Sequence, residues 1–420
     1  MNATETDRID RDTDLYWDYV KYEENEILVA RQYEGLVIKA LRGLGIRDLP
    51  GKSKSSPLLG LTLLAFEEPR DAVKDRLAGV EGAIPGDLVG MVLNAVKNWF
   101  TEGAPGRWIP TMGRNRLVGH VDGTNGNVIV GGNDPKLAPF EAFPPNVRPA
   151  SGQRPGPVGT GPGVRVAVID TVLGPHPFLE GKWVAPNPSP FDANSRPHFR
   201  AGHGTFVAGI VLAQAPDAAV TVHPALNSDG RATSWEIANA ILDSAHAGAQ
   251  IINLSLACYT LDGLPPLVFT QAISRLPPGT LVVAAAGNMA NQHPPAGYDG
   301  IVPDLSQAPA WPAALDNVVA VGAADAETVG QSADFSPAAP WVDVRAPGVE
   351  VFSIFPGGIT SDWPVPQGGI AKWSGTSFAT AHVTGAVAAI ASAGNLSPRD
   401  AYIALLKKPP KELDFLASEI

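Results

Sequence analysis

The sequence predicts an α/β protein in which a large three-layer domain, with helices on both faces of a mostly parallel sheet, follows a smaller α+β domain. Apolar runs of strand length alternate with helical patterns through the second half of the chain. A Gly- and Pro-rich linker at 151–163 separates that half from the first. The length of 420 residues exceeds one ordinary domain, and 45% hydrophobic against 17% charged residues suits a chain with a large core.

The first half contains short strand and helix patterns. Residues 1–24 form a polar, acidic arm, and the α+β domain is predicted over 25–150. Its expected elements are a strand at 26–30, a helix at 33–45, a strand at 58–66, and helices at 69–79 and 88–100. Apolar runs at 118–121 and 127–130 flank a Gly- and Asn-containing turn and predict a hairpin.

The second half begins with a near-continuous apolar run at 164–169, as expected for a parallel strand that is covered on both faces. Thr233-Ser-Trp-Glu236 is a capping box that opens a helix. The other expected elements are helices at 202–215 and 376–394 and strands at 251–255, 280–285 and 318–321. The large domain is therefore predicted over 164–408, followed by a tail at 409–420.

Composition excludes several functional classes. The net charge of -11 argues against a nucleic-acid binder, which should present a basic face. The sequence has no run of about 18 apolar residues, so no membrane span is predicted. The charged N-terminus lacks the apolar core of a secretory signal, and the single cysteine, Cys258, cannot form an internal disulfide. A cytoplasmic location is the expectation, and the oligomeric state is not indicated.

Four side chains of the large domain have settings that suit serine-dependent hydrolysis, which needs a nucleophile, a base, a group that orients the base and donors for an oxyanion. Asp170 ends a buried strand, where open α/β sheets place their sites. His203 stands in Gly202-His-Gly-Thr, and Ser377 stands in Gly375-Thr-Ser at a helix start. Asn288 follows the strand that ends in Ala-Ala-Ala-Gly. Each setting alone also fits a turn, a cap or a structural histidine, so their joint order carries the prediction.

With these motifs in place, residues from about 164 to 405 resemble the subtilisin-like serine proteases, peptidase family S8. The resemblance rests on the matching stretches Val166-Ala-Val-Ile-Asp-Thr171, His203-Gly-Thr-Phe-Val-Ala-Gly209, Ile251-Ile-Asn-Leu-Ser-Leu256, Val283-Ala-Ala-Ala-Gly-Asn288 and Gly375-Thr-Ser-Phe-Ala379. It implies a subtilisin-like fold and a serine endopeptidase that acts on peptides or proteins.

The same resemblance assigns roles to individual residues. It implies that Ser377 attacks the scissile carbonyl, His203 transfers the proton and Asp170 orients the imidazole. Asn288 and the Ser377 N–H would hold the oxyanion. The edges implied to pair with an extended substrate are Ser255, Leu256 and Ala257 on one side and a segment near Asn227 on the other.

The chain departs from the family pattern at several positions. Val172 and Phe206 replace a usual Gly and a frequent His, and Ala381 replaces a usual Pro. Ala257 replaces a frequent Gly on the substrate-binding edge, where its methyl group would narrow the pocket for the residue before the cut bond. No metal site is predicted and no cofactor is expected. The structural calcium common in the family lacks a recognisable ligand pattern here.

The role of residues 25–150 has two alternatives. They are either a removable inhibitory propeptide of ferredoxin-like fold or a retained accessory domain of an intracellular processing protease. Removal of a propeptide would leave a fragment that starts near 150–164. A catalytically silent peptide-binding module and a peptide ligase remain rival functions. Loss of fluorophosphonate labelling in Ser377→Ala tests the first rival, and product joining with an added amine tests the second.

Overall fold

The computed structural model describes residues 21–80, 87–101, 108–120, 124–125, 128–129, 136–138, 163–186, 199–291, 304–325, 331–356 and 369–407. The N-terminal part is an antiparallel sheet with three helices. Its elements are β1 (Tyr22–Ala30), α1 (Glu34–Gly43), β2 (Lys54–Ser56), β3 (Leu61–Ala65), α2 (Asp71–Ala78), α3 (Leu88–Thr101) and β4 (Met112–His120). The strand order β4-β1-β3-β2 places the first and last strands side by side in the sheet, as in a ferredoxin-like fold.

The helices of this domain cover one face of its sheet. Val37 and Leu41 of α1 and Val92 and Val96 of α3 pack on Ile27 and its neighbours. The predicted elements are present with shifted ends. The strand expected from residue 26 begins at Tyr22 because Tyr22 pairs with β4 across an irregular register.

The large domain is built on a parallel sheet of seven strands in the order β16-β15-β14-β12-β8-β10-β9. These strands are β8 (Arg165–Asp170), β9 (Val184–Ala185), β10 (Ala219–Pro224), β12 (Ile251–Leu254), β14 (Leu281–Ala285), β15 (Val318–Ala324) and β16 (Val344–Pro347). The helices are α4 (His203–Gln214), α5 (Ser234–His246), α6 (Leu267–Ser274), α7 (Thr376–Gly394) and α8 (Pro398–Leu406).

Helices cover both faces of this sheet, which confirms the predicted three-layer α/β/α architecture. Alternate side chains of β8 enter different cores: Val166 and Val168 pack with α4 and α7, while Ala167 and Ile169 pack with α5 and α6. The strands are therefore buried on both faces, which is why they read as continuous apolar runs. No helix in the described part of the chain has the length and apolar character to cross a membrane.

Two short strands of the large domain border the N-terminal domain. β11 (Arg231–Thr233) immediately precedes α5, and β13 (Leu256–Ala257) follows β12. β4 pairs antiparallel with both of them, so the sheet of the N-terminal domain continues into the large domain. The predicted hairpin around 118–130 differs accordingly. Val118 belongs to β4, and the hairpin is confined to β5 (Thr124–Asn125) and β6 (Val128–Ile129).

A third, smaller sheet lies beside α4. It consists of β17 (Val351–Phe355), β18 (Gly369–Trp373) and β7 (Lys136–Ala138), in the order β17-β18-β7, and both pairs are antiparallel. β7 comes from the chain before the predicted linker, so the large domain includes a strand from outside the predicted 164–408.

Candidate active site

Asp170 and His203 form a buried pair at the carboxyl end of the parallel sheet. Asp170 ends β8 and His203 begins α4. The His203 Nδ1 lies 2.8 Å and 2.9 Å from the two Asp170 carboxylate oxygens. Since a carboxylate accepts hydrogen bonds, Nδ1 carries the hydrogen and Nε2 presents a lone pair. The pair thus fixes the tautomer that a general base requires.

The start of α4 is fastened to the end of β8 by Thr171. The Thr171 hydroxyl donates to the Ala201 carbonyl at 3.0 Å and accepts from the Gly204 N–H at 2.8 Å. A Cβ on Gly204 would lie 2.5 Å from the Thr171 carbonyl oxygen, so only glycine allows this approach. Gly204, which follows His203, therefore allows the approach that brings the imidazole to Asp170.

Ser377 is the second residue of α7, next to the end of β12. Its hydroxyl donates to the Ser255 carbonyl at 3.1 Å, and the Ser255 hydroxyl donates to the Ser377 carbonyl at 2.8 Å. The N–H of a residue in the first turn of a helix has no partner within the helix, so that of Ser377 can serve an oxyanion. The relative exposures of Asp170, His203 and Ser377 are 0%, 1% and 0%, so all three are covered in the intact chain.

Asn288 follows β14 and faces the start of α7. Its side-chain oxygen accepts from the Thr376 N–H and from the Thr376 hydroxyl, both at 2.9 Å. With the oxygen held in this way, the NH₂ group is the end of the side chain that can donate. Gly287 has a φ of +93°, and a Cβ there would lie 2.0 Å from the Tyr259 hydroxyl. The glycine before Asn288 is thus required by backbone conformation and by space.

Aromatic rings enclose the His203 imidazole. Trp373, at the end of β18, stands edge-on to it with ring centroids 5.4 Å apart, and the Phe378 ring lies at 5.5 Å. Phe206 contacts both of these rings at 5.7 Å and 4.6 Å. Phe206, which departs from the family pattern, therefore belongs to one apolar wall with Trp373 and Phe378, and this wall keeps water from that side of the imidazole.

Cys258 is next to the site but unsuited to nucleophilic chemistry. The thiol is buried, and burial raises its pKa to about 12. A neutral thiol is a poor nucleophile, because the thiolate is the reactive form.

The two predicted substrate edges lie on either side of one strand. Gly119 of β4 pairs with Ala257 on one side and with Arg231 on the other, and His120 pairs with Leu256. The Asn227 side chain accepts from the Asp229 and Arg231 N–H groups at 3.0 Å and 2.9 Å. Asn227 therefore shapes the turn before this edge, and β11 supplies the pairing groups.

Sequence reasoning did not identify β11, β4 or Trp373 as parts of the site. The capping box at Thr233 marks the helix start, and an extended segment just before it was the available signal for β11. Nothing local marks Leu117 to His120 as an occupant of these edges, because that pairing depends on the docking of two domains. Among the described residues, no group of three or more His, Cys, Asp or Glu side chains is arranged to hold a metal ion.

Comparison with known proteins agrees with this arrangement. The model of the subtilase family matches residues 161–409, more than half of the chain. A thermophilic serine proteinase of Bacillus sp. (strain AK1) is 33% identical over 313 residues, which cover 66% of this chain and 68% of that protein. Subtilisin BL of Lederbergia lenta is 35% identical over 244 residues, 55% of this chain and 77% of its own. The solved structure of the prenylagaramide maturation protease PagA matches 60% of this chain and 87% of its own, with 27% identity and a TM-score of 0.47.

Proposed function

The chain belongs to the subtilase family and is a serine endopeptidase, and on that premise we propose that Asp170, His203 and Ser377 are its catalytic triad. The observation that carries this assignment is the buried hydrogen-bonded pair of Asp170 and His203 beside the start of α7. Its substrates are peptides or proteins, as for the proteases it matches.

Catalysis would begin when the Ser377 hydroxyl turns from the Ser255 carbonyl towards His203. Nε2 takes the proton as Ser377 Oγ attacks the scissile carbonyl carbon, and the Asp170 carboxylate stabilises the imidazolium. The Asn288 NH₂ group and the Ser377 N–H then donate to the oxyanion. His203 returns the proton to the leaving amine, and water releases the acyl group from Ser377 by the same steps in reverse.

Labelling with a fluorophosphonate probe tests this assignment. We expect the parent protein to be labelled on Ser377 and to hydrolyse a casein substrate. Ser377→Ala should abolish both signals, whereas Ser392→Ala, which changes a serine in the last turn of α7, should retain both. Persistent labelling of Ser377→Ala would refute the choice of nucleophile, and casein hydrolysis by a labelled protein rules out a silent binding module.

We further propose that the N-terminal domain is an inhibitor of the same chain that self-cleavage removes. Support comes from β4, whose last residues lie between β11 and β13, the two edges assigned to the substrate. A strand in that position excludes a second strand, and the buried nucleophile is consistent with a covered site. Antiparallel addition of β4 to both edges is also the way in which an extended substrate would bind.

Incubation of the purified chain tests this proposal. We expect a time-dependent shift to a shorter fragment whose hydrolytic activity exceeds that of the intact chain. Ser377→Ala should block the shift. An intact chain that is fully active and stays uncut would support a retained accessory domain instead.

A further inference from the structure

The last residue of β18 lies on the His203 side of the catalytic residues. His203 must protonate the leaving amine, so the part of the substrate after the scissile bond lies on the His203 side of Ser377. Trp373 ends β18, contacts the His203 ring and precedes Ser377 by only four positions. β18 therefore runs along the region that residues after the scissile bond must enter.

One edge of β18 is occupied by the protein's own chain. Ile370 pairs with Ala138, Ala371 with Leu137, and Lys372 with Lys136, in antiparallel register. β17 holds the other edge of β18. Prolines at 135 and 139 bracket the three residues of β7, and a proline has no N–H for a β ladder. The sequence thus limits this strand to three residues. Pairing over so few residues is weak, so another strand can displace it.

The two strands β4 and β7 meet the peptidase on opposite sides of Ser377. His120, the last residue of β4, pairs with Leu256, which follows the Ser255 that accepts from the Ser377 hydroxyl. β7 begins at Lys136 and pairs next to Trp373, on the His203 side. A cut between positions 121 and 135 would separate these strands. β4 would leave with the N-terminal domain, while β7 would stay joined to β8 through the chain.

We propose that the β18 edge is a strand-addition site for substrate residues after the scissile bond, and that Lys136–Ala138 occupies it in cis as a competing arm that the mature enzyme keeps. This inference rests on the proposed peptidase function and identifies substrate length after the cut as a determinant of specificity. It also predicts a mature N-terminus between 122 and 136, earlier than the 150–164 expected from the linker. The arm disfavours substrates that extend far beyond the cut and leaves short leaving groups unaffected.

A double substitution in the arm tests the competition. Successive N–H groups of a strand point to opposite sides, so Leu137→Pro with Ala138→Pro removes at least one donor that faces β18. Leu137→Thr with Ala138→Thr keeps both donors and is the matched control. Both test substrates have the sequence of residues 116–121 before the scissile bond. One carries an anilide leaving group, and the other continues for six residues after the scissile bond.

We expect the proline pair to lower KM for the long substrate about fivefold or more, which corresponds to the loss of one or two backbone hydrogen bonds that hold the competitor. The proline pair should hydrolyse the anilide substrate with the kinetics of the parent enzyme. The threonine pair should match the parent enzyme with both substrates. Equal KM values for the long substrate in all three proteins, or a mature N-terminus after Ala138, would overturn the inference. Absence of anilide hydrolysis in the parent enzyme would refute the proposed function and the inference with it.

Hydrogen exchange gives a readout that does not depend on activity. In the Ser377→Ala background, where no self-cleavage is expected, the proline pair should accelerate exchange across 369–373 and the threonine pair should not. Unchanged protection of 369–373 in the proline pair would contradict the pairing on which the inference depends.

Discussion

At the residue scale, two buried histidines of this enzyme differ through their neighbours. His203 faces both oxygens of Asp170 through Nδ1. His382 lies within α7, where its Nδ1 accepts from the Gln214 amide, and burial lowers its pKa to about 3. His382 is thus held by a neutral amide, whereas His203 is oriented by a carboxylate, as in the triads of serine proteases.

Asn288→Ala should lower kcat with little effect on KM. The loss of one oxyanion donor costs about 10²–10³-fold in kcat, a figure measured in subtilisin, a relative of this chain. Asn288 also holds the Thr376 N–H, so circular dichroism and thermal unfolding are needed to verify that the start of α7 stays folded. Near-normal turnover by a folded variant would remove Asn288 from the mechanism.

His382 makes the stability of the peptidase domain sensitive to acid. Its pKa is lower in the folded state than in the unfolded state, so its stabilising contribution is complete above about pH 6.5 and declines as the pH falls. Between pH 7 and pH 4 we expect it to account for a loss of about 3 kcal/mol in the free energy of unfolding.

Urea unfolding of the Ser377→Ala protein at both pH values measures this loss. His382→Asn, which keeps an acceptor for Gln214, should have the shallower pH dependence. His246→Asn changes an exposed histidine of α5 and should follow the parent curve. Parallel pH curves for His382→Asn and the parent would show that His382 does not carry the effect.

At the scale of elements, short strands rather than helices form the edges that we propose for substrate binding. β11 and β13 each contribute two or three residues whose backbone groups pair with an extended chain. These strands are held by larger elements. β13 continues from the buried β12, and β11 is fixed by the capping box at the start of α5, in which Thr233 and Glu236 each accept from the other's backbone N–H. Rigid elements thus position the proposed substrate edges.

Ala257→Gly should broaden specificity for the residue before the scissile bond. Ala257 is buried in β13, opposite Gly119, and we expect its methyl group to take space that a larger substrate side chain needs. We expect kcat/KM for peptides with Phe or Tyr before the cut to rise about tenfold relative to peptides with Ala. Ala320→Gly makes the same change inside β15 and should leave this ratio unchanged. A constant ratio in Ala257→Gly would exclude Ala257 from the pocket.

At the scale of the whole molecule, the N-terminal domain docks through its sheet and a small polar network. Leu28, Leu63 and Val118 share one core with α5 and α6. The Asn115 side-chain oxygen accepts from the Trp235 N–H at 3.1 Å, and its NH₂ group donates to Glu26 at 2.7 Å. A residue of the N-terminal domain therefore satisfies an N–H in the first turn of a helix that belongs to the peptidase.

Asn115→Ala should weaken this docking and raise the activity of the uncut chain. The loss of its hydrogen bonds to α5 corresponds to a rise of about five- to thirtyfold in the population of uncut chains whose N-terminal domain is undocked from the peptidase. The initial rate of anilide hydrolysis, measured before any fragment appears, reports this population. Lys39→Ala changes an exposed residue of α1 and should leave the rate unchanged. An unchanged rate in Asn115→Ala would argue that the network does not hold the domains together.

Much of this protein was predictable because its signals are local. The apolar run before Asp170 predicts a strand buried on both faces, and the Gly204 after His203 is needed for the helix to approach Thr171. The Thr233 capping box is confirmed with both of its hydrogen bonds. Each signal reflects backbone conformation or burial within a few residues, which a sequence encodes directly.

Other features depend on contacts between segments far apart in the chain. The hairpin expected at 118–130 loses Val118 to β4, because pairing with β11 and β13 satisfies more backbone groups than a local turn would. No strand was predicted at the Pro-bracketed residues 136–138, yet they complete a sheet with β18. Sequence alone predicted the fold class and singled out Asp170, His203, Asn288 and Ser377 as candidate site residues. Only the tertiary structure decided what lies against the substrate edges, because strand addition uses backbone groups that every residue type shares.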